Sequence, residues 1–270
     1  MGVKNFLELP FLGLTNLKSS TVVSLDEIHG EQYGKIICYP KFDIEELRSR
    51  LRELRGLKVS RIEFSGQTRI FDLNVLGKGH VSIVVVAYAN GKRGALKIRR
   101  TDADRMDMSH EVEALRAVNA VGVGPTVYGS SKNFILMELI EGIYFPEWLV
   151  SVKGKGRKKM VQRVVRSIIE ECWKLDKAGI DHGELSRASR HVIVEGDKPR
   201  IIDFESASTT RRRKNVTSIC QFLFIGSKVS RLLRRVLPNV NGERLVDALR
   251  FYKVEPTEKG LEKIFETCGL

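Results

Sequence analysis

The stretch DHGELSRASRHVIV, residues 181–194, lies about two thirds of the way along the 270-residue chain. It follows the pattern H-x-D-L-x-x-x-N before a short apolar run, with His182 and Leu185 in place. Glu184 stands at the position of the Asp. The stretch is a working catalytic loop with substitutions, a loop that has lost its chemistry, or a chance match.

The Asn of the pattern has two candidate replacements. Counting forward from His182 places Ser189 at its position, whereas counting back from the apolar run VIV places His191 there. Asp181 is an alternative carboxylate nearby, outside the motif position. The residues leave both choices open.

The composition is typical of a globular protein, with 42% apolar and 29% charged residues. No apolar run approaches the roughly 18 residues that span a bilayer. The opening segment VKNFLELPFLGL, residues 3–14, has no small-residue cleavage site, so we expect neither a secretory signal nor membrane insertion. The cysteines form no C-x-x-C pair, which predicts a reducing cytoplasmic location and no disulfide partner. They are Cys38, Cys172, Cys220 and Cys268.

The net charge of +13 predicts attraction to polyanions such as nucleic acid, acidic membrane or nucleotide phosphates. Solubility alone is an equally good explanation. Charge by itself therefore names no partner.

The first part of the chain predicts a small strand–helix–strand unit before Leu76. YGKIICYP, residues 33–40, is a short β-type run that ends at Pro40. The next segment, residues 42–56, has apolar residues at helical spacing and Asp43 as a candidate N-cap, so it predicts a helix. The runs VSRIEFSG and TRIFDLNVLG then predict strands.

The remainder is strand-rich first and helical afterwards. A turn at Asn90-Gly91 between two apolar runs predicts a β-hairpin. A helix over 108–122, two strand-like runs, a long helix over 157–179, two brief strands and a helical tail from about 214 follow. The predicted fold class is therefore α+β, with two lobes and a cleft between them.

Four residues before the loop carry candidate chemistry. Gly77 and Gly79 let backbone N–H groups approach phosphates, or form an ordinary turn. Lys97, in the apolar run ALKI, could reach phosphates, or could be a sheet-edge lysine in water. Glu111 on the next helix could hold Lys97; Glu113 is its competitor but points elsewhere around the helix.

Asp203 follows the loop, directly after the strand-like run RII. A carboxylate at a strand end beside a cleft is a good Mg²⁺ ligand. The alternative is a turn Asp that ends the strand.

In this order and on these element types, the motifs match the requirements of a protein kinase. The chain resembles the protein-kinase-like superfamily, in particular small atypical archaeal kinases such as the RIO-type family and the kinase subunit of the KEOPS complex. RMDMSHEVEALRAVNAVGVGPTVYG, residues 105–129, is similar to their helix and the strand after it. The resemblance covers residues 70–225. It implies an N-terminal α/β extension (1–68), a kinase N-lobe (69–142) and a C-lobe (143–270).

The resemblance also implies roles for individual residues, with ATP and Mg²⁺ or Mn²⁺ as cofactors. The nucleotide would be bound by Gly77 and Gly79 over the phosphates, Lys97 held by Glu111, Met137 as gatekeeper, and Glu138 to Ile140 as the hinge. Asp203 would bind the metal, helped by Ser189 or His191, and Glu184 would be the catalytic base. The implied activity is phosphoryl transfer to a Ser/Thr hydroxyl; the alternatives are a nucleotide-binding pseudokinase and a small-molecule kinase.

Several departures from the kinase pattern bear on that activity. Glu184 is a methylene longer than Asp, Glu205 replaces the Gly of D-F-G, and no A-P-E follows. The short segment after Asp203 argues against a phosphorylated activation loop. A basic sector beyond it is either a solvated face or a docking surface for an acidic protein or ribonucleoprotein. Its members are Arg211, Arg212, Arg213, Lys214, Lys228, Arg231, Arg234 and Arg235.

Overall fold

A computed structural model describes residues 20–238, 240–254 and 256–270; the opening segment 3–14 lies outside them. The strands are β1 (Thr21–Ser24), β2 (Val59–Phe64), β3 (Thr68–Ile70), β4 (Leu73–Val75), β5 (Gly77–Lys78), β6 (Ser82–Ala89), β7 (Lys92–Arg99), β8 (Val127–Ser130), β9 (Phe134–Met137), β10 (Ile143–Tyr144), β11 (Val192–Glu195) and β12 (Lys198–Ile201). The helices are α1 (Glu31–Ile37), α2 (Ile44–Gly56), α3 (Ser109–Ala120), α4 (Phe145–Ser151), α5 (Arg157–Lys177), α6 (Asn215–Phe224), α7 (Lys228–Arg234), α8 (Gly242–Val254) and α9 (Glu258–Cys268).

One antiparallel sheet forms the first lobe. Its strand order is β1-β2-β6-β7-β9-β8, and β5 pairs with β6 at the Gly-rich turn. The predicted hairpin is confirmed, because Asn90 and Gly91 have φ of 50° and 75°, the left-handed conformation that a tight two-residue turn requires. This register brings Lys97 opposite Val84 on β6 and Ile135 on β9.

The prediction of a strand over residues 33–40 is wrong, because helix α1 occupies Glu31–Ile37. Ile36 and Ile37 are buried against the first lobe. Gly34 faces α2 so closely that an added Cβ would lie 2.8 Å from Phe42 and 2.9 Å from Leu47. Tertiary packing therefore overrides the β propensity of the two isoleucines. The helix predicted over 42–56 is confirmed, and Asp43 accepts a hydrogen bond from the Glu46 N–H at 2.8 Å.

The N-terminal segment contributes two strands to the same sheet as the kinase-like strands. β1 pairs with β2, and β2 pairs with β6. The run TRIFDLNVLG, predicted as one strand, is a β3–β4 hairpin, with Phe71 at φ 53° in its turn. The domain boundary predicted at residue 68 stays a prediction. The strands on either side of it, β2 and β6, contribute to one apolar core.

The second lobe is mainly helical. The long helix α5 is buried along Val161, Val165, Ile168, Cys172 and Leu175, and α6 to α9 pack around it in one apolar core. The small sheet β10-β11-β12 belongs to this lobe. The fold is therefore α+β and two-lobed, as the sequence predicts. Among the described helices, none is long and apolar enough to cross a bilayer.

Candidate active site

Lys97 lies in the middle of the sheet, with its ammonium group surrounded by acids. Because β7 is hydrogen-bonded to β6 and β9, Lys97 is only 5% exposed and is not at a sheet edge. Its Nζ lies 2.6 Å from Oε1 of Glu111 and 3.0 Å from Oδ1 of Asp203. Burial disfavours the charged form, but the carboxylates, Glu111 foremost, raise the pKa of Lys97 above its ordinary value. The ammonium group is therefore fixed and charged.

Glu111, rather than its neighbour Glu113, is the partner of Lys97. Glu111 is buried in the first turn of α3, whereas Glu113 is exposed. Two residues along a helix turn the side chain by about 200°, so only one of the two can face the sheet. The Oε2 atom of Glu111 is buried without a hydrogen-bond partner among the described residues. Glu205, at the D-F-G glycine position, lies 3.4 Å from Lys97 through Oε2.

Asp203 begins the segment after β12 in an unusual backbone conformation. Its φ is 68°, in the left-handed region that residues other than glycine rarely adopt. Its side chain stays 42% exposed at the cleft. Burial alone would raise the pKa of Asp203, but the Lys97 ammonium lowers it below the ordinary range, so the carboxylate is ionised at neutral pH. Such a strained, charged carboxylate at a cleft is typical of functional sites.

Glu184 is held from two sides. Its Oε2 lies 3.0 Å from Nε2 of His191, and its Oε1 accepts a hydrogen bond from the Ser206 hydroxyl at 2.5 Å. The side chain of Glu184 remains 45% exposed. These two contacts hold the side chain of Glu184 in one orientation, although it is longer than that of Asp.

His191, and not Ser189, lies beside Asp203. The Nε2 atom of His191 lies 3.9 Å from Oδ2 of Asp203, while Ser189 is exposed. The reason is local: Leu185–Arg190 winds into a 3₁₀ segment with a kink at Arg187, which carries Ser189 away. Counting back from the apolar run VIV therefore identifies the residue that lies beside Asp203.

The donor set fits a divalent metal that also contacts phosphate. In the described part of the chain, no three His, Cys, Asp or Glu side chains are arranged to hold a metal alone. Mg²⁺ is usually bound by one or two carboxylates together with substrate phosphates, which matches Asp203 as the oxygen ligand. His191 would be the second ligand. The cluster of acids around one lysine, in a chain of net charge +13, also favours a bound cation.

Asp181 has a different task from Glu184. It is 1% exposed, and its carboxylate accepts hydrogen bonds from the side chain of Arg211 and from the N–H of Lys214. Its backbone forms two 2.9 Å hydrogen bonds with Ser208. Asp181 therefore ties the segment after Asp203 to the loop that begins at His182, and its burial keeps its carboxylate away from any substrate.

Gly183 is required by this arrangement. Its φ is 94°, and an added Cβ would lie 2.5 Å from Nη2 of Arg211 and 2.9 Å from the Ser206 carbonyl oxygen. The loop can pass beneath Arg211 only without a side chain at this position.

Buried polar groups support the catalytic loop from below. The N–H of His182 donates to Oδ1 of Asn215 at 2.8 Å, and Asn215 in turn donates to Asp176 from its amide and its backbone. The Nε2 atom of His182 lies 3.0 Å from the Ile202 carbonyl oxygen, beside Asp203. Burial lowers the pKa of His182 to about 4, so the imidazole is neutral.

The Gly-rich turn leaves open space where phosphates would lie. A Cβ added at Gly77 would meet nothing within 4 Å, and one at Gly79 would make only ordinary contacts with Ser82. Neither glycine has a positive φ. Protein packing thus does not require glycine at either position, whereas a ligand close to the backbone would.

The hinge segment connects the two lobes through Glu138. The Glu138 carboxylate accepts hydrogen bonds from Arg200 at 2.8 and 3.0 Å and from the Thr126 N–H at 3.0 Å. The pKa of Glu138 is lowered, because Arg200 and Thr126 outweigh its partial burial. Met137 ends β9, and residues 138–140 lie outside any strand or helix. Its position between the lobes suits backbone recognition of a base.

Two contributors were missed by the sequence reasoning. Ser206 contacts Glu184, and Arg200 binds the hinge glutamate. Ser206 could have been suspected because it comes three residues after Asp203. Arg200 carries no such signal, since an arginine on a strand is ordinarily a surface residue.

The basic sector is partly used within the fold. Arg211 binds Asp181, and Arg212 donates to the Lys253 carbonyl oxygen at 3.1 Å. The remaining members are exposed: Arg213, Lys214, Lys228, Arg231, Arg234 and Arg235.

A β-sheet lobe, a helical lobe, a buried Lys–Glu pair and an exposed Asp just after a strand define a protein-kinase-like fold. The model of the RIO domain family matches residues 85–219, which is half of the chain. An uncharacterized protein of Methanocaldococcus jannaschii, MJ1211, is 32% identical over 117 residues, or 43% of this chain and 92% of that protein. The chain belongs to the RIO domain family, which is a family of atypical protein kinases.

Proposed function

We propose that this protein is an atypical serine/threonine kinase, which transfers the γ-phosphoryl group of ATP to a hydroxyl group of a protein. One observation carries the proposal: the fixed carboxylate of Glu184 is exposed at the cleft, beside His191 and Asp203. A carboxylate at this position can orient a hydroxyl group and accept its proton. The reaction otherwise needs mainly positioning and charge stabilisation.

The nucleotide would be held by groups of both lobes. Lys97, fixed by Glu111, would bind the α- and β-phosphate oxygens, and the turn at residues 77–79 would cover the phosphates with backbone N–H groups. The backbone of residues 138–140 would bind the adenine. Asp203 and His191 would hold Mg²⁺ or Mn²⁺, which supplies charge neutralisation at the β- and γ-phosphate oxygens when bound.

Glu184 would act as the general base in the transfer step. Its carboxylate would accept the proton of the attacking Ser or Thr hydroxyl, a contribution of about 10²–10⁴-fold for a general base. Ser206 supports this role, because its hydroxyl already lies at hydrogen-bond distance from Oε1. A hydroxyl group therefore fits beside the carboxylate. Ser206 reduces the positional freedom that the extra methylene adds, and His191 does so as long as its Nε2 atom is not bound to the metal.

Two rivals make different predictions. A pseudokinase would bind nucleotide without transferring phosphate, and the loss of the usual Asn favours it. A small-molecule kinase would transfer phosphate to a metabolite, and it would need an acidic or shaped pocket in the helical lobe. The exposed cations of that lobe argue against a cationic metabolite such as an aminoglycoside.

The exposed part of the basic sector supports an acidic protein or a ribonucleoprotein as the partner. The group consists of six exposed cations: Arg213, Lys214, Lys228, Arg231, Arg234 and Arg235. Binding through such a surface would fall steeply with salt. We also propose a reducing cytoplasmic location, in which the four free, buried cysteines stay reduced.

A transfer screen with labelled ATP tests the proposed function. The purified protein is incubated with Mg²⁺ or Mn²⁺ and with protein, peptide, ribonucleoprotein and metabolite acceptors. The proposal predicts phosphoserine or phosphothreonine on a protein acceptor. Label on metabolites alone supports the small-molecule kinase, and nucleotide binding without any transfer supports the pseudokinase.

A further inference from the structure

Tyr39 reaches from the N-terminal helices to the Gly-rich turn. It follows α1, and its hydroxyl lies 2.5 Å from Nζ of Lys78, the residue between the two glycines. The ring also faces two cations, Lys78 at 4.7 Å and Arg100 at 5.2 Å from its centroid. Cation–π contacts of this kind are individually weak but directional.

Arg100 holds the same turn from the other side. Its Nη1 donates to the Gly79 carbonyl oxygen at 3.0 Å, and its backbone N–H donates to the Val81 carbonyl oxygen at 2.8 Å. Asp102 fixes its guanidinium through two hydrogen bonds of 2.8 and 2.9 Å. The Tyr39 ring therefore packs on a cation that is already bonded to the Gly-rich turn.

The position of Tyr39 is set by the end of β7. The Thr101 N–H donates to the Tyr39 carbonyl oxygen at 2.8 Å, and the Thr101 hydroxyl lies 3.2 Å from the same oxygen. Arg50 of α2 is fully buried and donates to the carbonyl oxygens of Ile37 and Arg99, at 2.7 and 2.6 Å. Buried, charge-assisted hydrogen bonds of this kind fix the helical pair rigidly to the sheet.

We propose that helices α1 and α2, with Tyr39 at their junction, form a brace that fixes the Gly-rich turn and thereby sets the affinity for nucleotide. This inference rests on the proposed nucleotide site. Tyr39 is a positioning residue in it, because it acts through Lys78 and Arg100. A turn fixed in advance loses less conformational freedom when phosphate binds, so affinity rises.

The variants Tyr39→Leu and Tyr39→Phe distinguish a loss of the brace from a general loss of stability. Leucine keeps apolar bulk but loses the hydroxyl and the aromatic face, whereas phenylalanine keeps the ring on Arg100 and loses only the hydroxyl that contacts Lys78. Tyr128→Leu is the matched control, since Tyr128 is an exposed tyrosine on β8 of the same lobe. The first readout is amide hydrogen exchange of residues 76–83 in nucleotide-free protein. The second is the Kd of a fluorescent ATP analogue with Mg²⁺.

The brace predicts faster exchange at residues 76–83 in Tyr39→Leu, and a Kd raised about 3- to 10-fold through the two cation–π contacts. Tyr39→Phe should have a smaller effect in the same direction, because it loses the hydroxyl contact with Lys78 but keeps the ring on Arg100. Tyr128→Leu should change neither readout. KM for ATP should rise with kcat unchanged, because a merely structural loss would lower the active fraction instead. Unchanged exchange and Kd in Tyr39→Leu, or tighter binding, would overturn the brace. If the wild type binds no nucleotide, the proposed function fails, while the exchange comparison still tests the brace.

Discussion

The Nε2 atom of His191 lies 3.0 Å from Oε2 of Glu184, and the same nitrogen is 3.9 Å from Oδ2 of Asp203. A single imidazole thus contacts the proposed base and lies next to the proposed metal ligand. It takes the place that Asn holds in the kinase pattern. The Nδ1 atom of His191 is buried without a partner among the described residues, so the ring is oriented by its Nε2 contacts.

We expect His191→Ala to lower phosphoryl transfer by about 10- to 100-fold, as loss of a metal-orienting side chain usually does. His191→Asn should retain more activity, because the amide oxygen can bind the metal. It should also shift the metal preference from Mn²⁺ toward Mg²⁺, since it replaces a nitrogen ligand by oxygen. Initial rates at matched concentrations of each metal measure both effects.

Ser189→Ala is the control for that comparison, because Ser189 is exposed and away from the site. A large loss of transfer in Ser189→Ala, with His191→Ala unaffected, would show that the wrong residue had been placed at the Asn position.

Nucleotide binding should stabilise the protein in a metal-dependent way. ATP with Mg²⁺ or Mn²⁺ at about 100 to 1,000 times its Kd should add roughly 3–4 kcal/mol to the free energy of unfolding. Asp203→Asn should abolish the part that depends on metal, because it removes the carboxylate exposed at the cleft. Thermal melts with ATP, with ATP plus metal, and with metal alone separate the contributions. A wild-type Tm that is the same with and without ATP and metal would refute the site.

Asp181→Asn should affect stability more than catalysis. The substitution weakens the buried contacts with Arg211 and the Lys214 N–H, for which we expect a cost of about 1–3 kcal/mol. Urea unfolding measures this cost, and transfer per folded molecule should stay near the wild-type value. Arg212→Gln, at the neighbouring exposed arginine, should cost much less. Stability unchanged but transfer abolished in Asp181→Asn would make Asp181 the base.

His182 should make stability depend on pH. Its pKa is lowered from 6.5 to about 4 by burial, so the unfolded chain binds its proton at higher pH than the folded chain does. The contribution is complete above pH 6.5 and is lost as the pH falls toward 4, by about 1.4 kcal/mol per pH unit. Burial raises the pKa of Glu171 to about 7, which has the opposite effect over part of this range.

The test is therefore the difference between wild type and His182→Gln in the free energy of unfolding. From pH 7 to pH 4.5 the wild type should lose about 2–3 kcal/mol more than the variant. Parallel pH profiles for the two proteins would show that His182 is not buried as a neutral group.

Local patterns predicted most of the fold, and tertiary packing explains where they did not. The helix over 42–56 follows from its N-cap and apolar spacing, which act within the segment. Residues 33–37 form a helix because Gly34 allows close contact with α2. A local sequence pattern cannot predict this contact, because it depends on a later segment of the chain. Similarly, β1 and β2 join a sheet whose other strands lie after residue 76.

The sequence predicted those residues of the candidate site that lie in recognisable motifs. Helical geometry correctly chose Glu111 over Glu113 as the partner of Lys97. Sequence spacing could not decide between Ser189 and His191 as the residue beside Asp203. The direction of each side chain depends on the kink in the 3₁₀ segment Leu185–Arg190, and no sequence pattern predicts that kink. Ser206 lies on the segment that begins at Asp203, whereas Tyr39 contacts the Gly-rich turn from a segment that carries no motif.

Glu184 as the catalytic base is tested most directly by single-turnover transfer from labelled ATP in wild type, Glu184→Gln and Glu184→Asp. We expect Glu184→Gln to lower the rate by about 10²–10⁴-fold while the Kd for ATP stays nearly unchanged. Glu184→Asp should keep substantial activity, since it retains the carboxylate. A Glu184→Gln rate equal to that of the wild type would contradict the role of Glu184 as the base.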